Sequence, residues 1–124
     1  ITLEHGVRFV MECTQQMHGG EIFVPKIPSG RIMDLTEAIA PGCKVDYIGI
    51  RGGEKLHEVL VSEDEARHTL ELEDKYIIMP SHPWWRMENW SGFDKMTEGS
   101  SYSSDANAEW LSVEALRRFA REGE

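Results

Sequence analysis

The sequence lacks most of what a polyanion-binding, membrane-spanning or disulfide-stapled protein needs. Thirteen Lys and Arg stand against twenty-two Asp and Glu, a formal charge of -9. That balance excludes a general nucleic-acid or anionic-membrane surface, since both require a surplus of cations. It leaves room for a local basic pocket that takes a small anion. No apolar run approaches the roughly 20 residues needed to cross a bilayer, and no signal peptide is present, so the chain reads as cytoplasmic without a membrane span. The two cysteines, Cys13 and Cys43, show no CxxC spacing. They read as reduced thiols, with a disulfide as the alternative. His5, His18, His57, His68 and His82 share no ligand spacing, so no metal site is expected. There is no nucleophile-elbow motif and no GxGxxG dinucleotide loop. The chain opens on Ile1, without an initiator methionine and without a leading strand.

What is present alternates between helix and strand patterns. Leu3, Val7, Val10 and Met17 recur at helical spacing over residues 2–17, and His18-Gly19-Gly20 stops the run. Glu21 to Val24 reads as a short strand halted by Pro25 and Pro28. Asp34 and Glu37 have the spacing of a capping box, which predicts a helix through Ile39, ended by Pro41-Gly42. Lys44 to Ile50 reads as a second strand. Helix, strand, helix, strand is how part of a parallel α/β unit reads. With no opening strand, the expectation is a fragment: the tail of an α/β domain (residues 1–50), then a second region (51–124).

In that second region a helical turn is expected over Lys55 to Leu60, and a capping box at Ser62 and Glu65 opens a short helix. Thr69–Leu72 and Lys75–Met79 are predicted to pair as a hairpin across Glu73-Asp74. Residues 80–104 lack periodicity and read as an irregular excursion. Trp84, Trp85 and Trp90 within it form either an aromatic ligand platform or, as aromatic clusters more often do, a packing or oligomer patch. Ser112 is expected to cap a C-terminal helix with Val113, Leu116 and Phe119 on one face.

The chemistry concentrates in Ile50-Arg51-Gly52-Gly53-Glu54-Lys55-Leu56-His57-Glu58. A guanidinium holds two phosphate oxygens in a fixed fork. Glycines let backbone approach a ligand, and Glu54 is placed to accept hydrogen bonds from ribose hydroxyls. The plain alternative is a surface turn in which Arg51 pairs with Glu54 or Glu58. A second candidate is Pro25-Lys26-Ile27-Pro28, a stiff loop beyond a strand end, where α/β proteins bind ligands. Lys26 suits an anionic group there, and the alternative is a proline-stiffened connector.

Residues 50–58 resemble the Ile-Arg-Pro-Gly-Glu-Lys-Leu-His-Glu signature of the inverting UDP-N-acetylglucosamine 4,6-dehydratases, extended short-chain dehydrogenase/reductase (SDR) enzymes of polysaccharide and pseudaminic acid biosynthesis. Three more segments are similar in the same order: residues 1–10, residues 19–29 (Gly-Gly-Glu-Ile-Phe-Val-Pro-Lys-Ile-Pro-Ser) and residues 102–112 (Tyr-Ser-Ser-Asp-Ala-Asn-Ala-Glu-Trp-Leu-Ser). The resemblance implies an extended Rossmann-type fold of which this chain is the C-terminal, substrate-binding portion. It implies NADP bound by a missing N-terminal domain, UDP-N-acetylglucosamine as substrate, and a homo-oligomeric full-length enzyme. Arg51 would contact the diphosphate and Glu54 the ribose, while Pro25 and Lys26 would lie near the nucleotide. The family's Tyr-x-x-x-Lys pair has no counterpart, because Tyr47, Tyr76 and Tyr102 are followed four residues on by Arg51, Pro80 and Ala106. No catalytic residue is therefore expected in this chain. Gly52 stands where the family has proline, which loosens the loop. The alternatives are a non-catalytic nucleotide-sugar-binding or protein-interaction module, and a related UDP-sugar epimerase.

Overall fold

The computed structural model describes residues 1–122. Helix α1 (Leu3–Gln16) is capped by Thr2, whose hydroxyl accepts from the His5 amide. Gly19 and Gly20 end the approach to β1 in the positive-φ region that only glycine enters readily. Strand β1 (Ile22–Pro25) and helix α2 (Ile32–Ile39) follow, and then a long irregular stretch reaches β2 (Val59–Val61). Helix α3 (Glu63–Ala66) carries the expected capping box, in which Ser62 and Glu65 satisfy each other's amides. Strands β3 (Thr69–Glu71) and β4 (Lys75–Ile78) form the predicted hairpin. A 3-10 turn (Met87–Trp90), β5 (Asp94–Lys95), β6 (Tyr102–Ser103) and α4 (Val113–Glu122) complete the chain.

The mixed α/β class holds, but the strands pair differently from a parallel unit. One sheet runs β1-β4-β3-β5 and a second pairs β2 with β6, every strand pair antiparallel. Residues 44–50 form no strand: they are irregular, with Gly49 at φ +79°, and exposed, with Tyr47, Ile48 and Ile50 open to solvent. Their β-forming composition marks a strand that finds no sheet edge among the described residues. The turn expected over Lys55–Leu60 is likewise absent, because Val59 and Leu60 extend into β2 against β6. Helix α2 starts earlier than its sequence signal. Arg31, not Asp34, is its N-cap, and Glu37 instead accepts from the Gly42 amide.

The larger sheet packs a core cluster against each face, period-2 alternation sending successive side chains to opposite sides. Phe23, Ile77, Leu70 and Leu72 point one way, into a cluster with Met79, Trp85 and Trp90. Val24, Tyr76 and Ile78 point the other way, against Val61, Ala66, Met96 and Tyr102. The irregular segment thus supplies core residues from inside itself. Trp90 is buried and its indole N–H donates to Glu21 at 3.0 Å. Burial pushes the Glu21 pKa up, but hydrogen bonds from Trp90, His18 and Gly19 together outweigh it and hold the carboxyl below its usual range. Packing thus accounts for Trp85 and Trp90, while Trp84 stays exposed and stacks on His82.

Helix α4 packs on α2 through buried Leu116, and a Cβ on Gly30 would meet that side chain at 3.2 Å. Helix α1 is different: Leu3, Val7 and Val10 are periodic as expected, yet exposed, and Cys13 is the residue of that helix that is buried. Periodicity predicted the helix correctly but says nothing about which surface covers its apolar stripe. Both cysteines are free, and burial pushes the Cys13 thiol upward in pKa, which keeps it protonated and unreactive.

Candidate functional site

The loop after β1 is held more firmly than two prolines alone require. The Lys26 amide donates to the Asp74 carbonyl at 2.9 Å, extending the β1–β4 pairing by one step. The Tyr102 hydroxyl accepts from the Ile27 amide at 2.9 Å and donates to the Ile27 carbonyl at 3.0 Å. Asn107 Nδ2 donates to the same carbonyl at 2.6 Å and to Ser29 Oγ at 3.1 Å. Ser29 then makes an isolated parallel bridge with Trp110, giving its amide to Glu109 and accepting from Leu111. With both polar groups of Ile27 engaged, the loop offers a ligand its side chains rather than that peptide.

The segment that pins this loop also anchors the Arg51 run. Ser29 Oγ donates to the Ser104 carbonyl at 2.7 Å, and Ser104 exchanges hydrogen bonds with the backbone of Glu58. His57 Nε2 lies 3.7 Å from Asp105, whose pKa is lowered chiefly by the Ser103 hydroxyl. Residues 102–111 thus connect both sequence-predicted sites. Sequence reasoning assigned no role to Tyr102 or Asn107. The available signal was the similarity of residues 102–112 to the dehydratases, which marks a segment but no contact. Tyr102→Phe should leave the Ile27 amide without its acceptor and cost about 1–3 kcal/mol, read as a lower denaturant midpoint. A loss below about 0.5 kcal/mol would show that solvent or relaxation replaces the bond.

Lys26 follows from the same period-2 logic. It shares a face with Val24, and the register places Val24 opposite Tyr76 and Tyr76 opposite Glu71. Its ammonium therefore lies 4.7 Å over the Tyr76 ring and 2.9 Å from Glu71 Oε1, which also accepts from the Tyr76 hydroxyl at 3.3 Å. Burial, then the Glu71 charge, push the Tyr76 pKa up to about 12, so it remains a phenol. Lys26 borders two cavities. One, of about 370 Å³, is lined by Phe9, Pro25, Ile27 and Phe119 together with His5, Arg8, Glu12 and Asp74. The other, of about 470 Å³, is walled by Glu71, Glu73, Asp74, Tyr76, Asn107 and Glu109.

Arg51 and Glu54 form a self-contained turn. The Glu54 amide donates to the Arg51 carbonyl at 3.1 Å, and Glu54 Oε2 accepts from the Arg51 amide at 2.8 Å. Gly53 takes φ +90°, as the third position of such a turn demands, while Gly52 occupies the position where proline is favoured. The guanidinium is exposed and only 3.9 Å from Glu54. In this arrangement Arg51 makes the plain turn pairing, with its fork left facing solvent. Among the described residues no cluster of metal-ligating side chains is found, and no helix is long and apolar enough to cross a membrane.

Comparison with known proteins converges on one family. Residues 1–80 match the model of a family described as polysaccharide biosynthesis protein. The chain is 46% identical over 94% of its length to a UDP-N-acetylglucosamine 4,6-dehydratase (inverting) of Campylobacter jejuni. A UDP-glucose 4-epimerase of Rickettsia massiliae is 34% identical over 63% of the chain. Among solved structures, Pen from Bacillus thuringiensis matches 98% of the chain at 31% identity with a TM-score of 0.77. The chain spans 37% of the length of that dehydratase and of that solved structure, and 24% of the epimerase. With its first 80 residues fitting the family's model and its whole fold shared with a longer solved protein, the chain belongs to the polysaccharide biosynthesis protein family.

Proposed function

We propose that the chain is the UDP-sugar-binding part of an NADP-dependent UDP-N-acetylglucosamine 4,6-dehydratase that inverts at C5, acting in the cytoplasm in surface polysaccharide or flagellin-sugar (pseudaminic acid) biosynthesis. The observation that carries this reading is the 46% identity to the Campylobacter jejuni dehydratase across 94% of the chain. The epimerase similarity is weaker and reaches 63% of the chain. In this reading residues 1–50 continue the Rossmann-like domain and residues 51–124 form the substrate region, and the full-length enzyme is a homo-oligomer. The exposed apolar face of α1 and the exposed residues 44–50 support the larger protein, since both present surfaces suited to packing against a further α/β domain, while β1 on β4 and α2 on α4 tie the two regions together.

The residues here do not fit NADP. Among the described residues no strand leads through a Gly-rich turn into a helix N-terminus, and Gly30, which precedes α2, faces the Leu116 side chain, which a Cβ there would meet at 3.2 Å. The redox chemistry belongs in this reading to the remainder of the enzyme, and this chain contributes grip: Arg51 on the diphosphate, Glu54 on the ribose, Pro25 and Lys26 beside the nucleotide. Isothermal titration provides the test. UDP should bind this chain more tightly than uridine, with no turnover of the sugar nucleotide. Equal affinity for the two, or no UDP binding, would overturn the reading.

A further inference from the structure

We propose that Glu71 is an internal counter-ion that holds Lys26 away from anionic ligands, so that ligand binding requires Lys26 to exchange a carboxylate of this chain for a phosphate. The inference rests on the UDP-binding reading of the Pro25–Pro28 loop and adds to it the residue that sets the strength of that contact.

Lys26 lines both cavities, together with Ile27 and Asp74, but its head group is committed to one of them. Glu71 at 2.9 Å and the Tyr76 ring at 4.7 Å both belong to the second cavity. The other charged groups of that cavity are Glu73, Asp74 and Glu109, all acidic. Asp74 is shared with Lys75, whose ammonium lies 3.2 Å away, and the Tyr76 hydroxyl draws on the same Glu71 oxygen as Lys26. A diphosphate entering there meets a surplus of negative charge. The first cavity carries no such surplus: Arg8 and Lys26 stand against Glu12 and Asp74, with His5 beside largely apolar walls. An anion seated on that side gains Lys26 only when the side chain swings off Glu71.

The geometry makes such a swing cheap. The Lys26 and Glu71 side chains are 28% and 42% exposed, so their ion pair is a partly solvated one of modest strength. The four-carbon stem of lysine reaches either side of its own backbone without moving the pinned loop. The lost carboxylate and ring contacts together correspond to a penalty of about three- to tenfold in ligand affinity.

The experiment is calorimetric titration of UDP, inorganic pyrophosphate and uridine into wild type, Glu71→Gln, Lys26→Met and the double variant. Glu71→Gln keeps an acceptor for Tyr76 but removes the charge. UDP and pyrophosphate should bind Glu71→Gln about three- to tenfold more tightly, while uridine is unchanged. The gain should vanish in the Lys26→Met background, which separates release of Lys26 from a general change of surface charge. A Glu71→Gln variant without the gain overturns the proposal, as does a gain that uridine shares or that survives Lys26→Met. Failure of the underlying reading looks different: wild type then shows no preference for UDP over uridine, whatever Glu71→Gln does with pyrophosphate.

Discussion

Ile77→Ala is expected to destabilise the chain by about 2–5 kcal/mol, the range for removing buried aliphatic atoms without full collapse of the space they leave. Ile77 is completely buried in β4, one of the two interior strands of the larger sheet. It lies opposite Phe23 in β1 and Leu70 in β3. Those two positions are fixed by backbone ladders, so neither side chain is free to move far into the void. The same strand carries Tyr76 on its other face, against Tyr102 with ring centroids 5.0 Å apart. Loosening β4 therefore reaches the loop that Tyr102 pins. Against a total stability of about 5–15 kcal/mol for an ordinary domain, the loss is a large fraction. Urea unfolding should show a lower midpoint with an unchanged slope. Ile48→Ala, at an exposed residue of the irregular stretch, should stay within about 0.5 kcal/mol of wild type. A loss under about 1 kcal/mol at Ile77 would contradict the packing described.

Local signals in this chain were legible wherever a residue's own chemistry determines the structure. Ser62 and Glu65 satisfy a helix start between themselves, and the Glu73-Asp74 turn joins two β-rich runs of matching alternation. Signals that depend on a partner were not. The run Val45-Asp46-Tyr47-Ile48 has strand composition but no neighbour to ladder with among the described residues, and Leu3, Val7 and Val10 form an apolar stripe that stays exposed. Asp34 and Glu37 have capping-box spacing, yet tertiary packing of α2 on α4 starts the helix at Ile32.

The candidate site divides the same way. Arg51, Gly53 and Glu54 were readable because the turn is local, with each hydrogen bond spanning three residues. Tyr102 and Asn107 act on Ile27 across 75 and 80 positions, a distance that no motif spacing encodes. The Lys26–Glu71 pair lies between these cases. Once the β3–β4 hairpin is predicted, alternation puts Glu71 and Tyr76 on one face. Only the pairing of β1 with β4 brings Lys26 to that face.

Arg51→Ala should weaken UDP binding by about 1.5–3 kcal/mol, or about ten- to a hundredfold, the range for losing hydrogen bonds to a charged group. What makes this substitution informative is how little else depends on the side chain. The turn is closed by the Arg51 carbonyl and by the Arg51 amide on Glu54 Oε2, both of which alanine retains. The Arg51 side chain is 73% exposed and its Nε stands 3.9 Å from Glu54, a geometry too open to add much stability. The unfolding midpoint of Arg51→Ala should therefore match wild type while its UDP affinity falls. A side chain that merely braced the turn would move stability first and affinity in proportion. Arg51→Lys adds a second discriminator: it keeps the charge but loses the planar fork, so its affinity should lie between wild type and alanine. Calorimetry showing unchanged UDP affinity in Arg51→Ala would leave Arg51 as the partner of Glu54 in a surface turn, and would move the search for the diphosphate contact to the cations beside Pro25, with Lys26 the nearest in sequence.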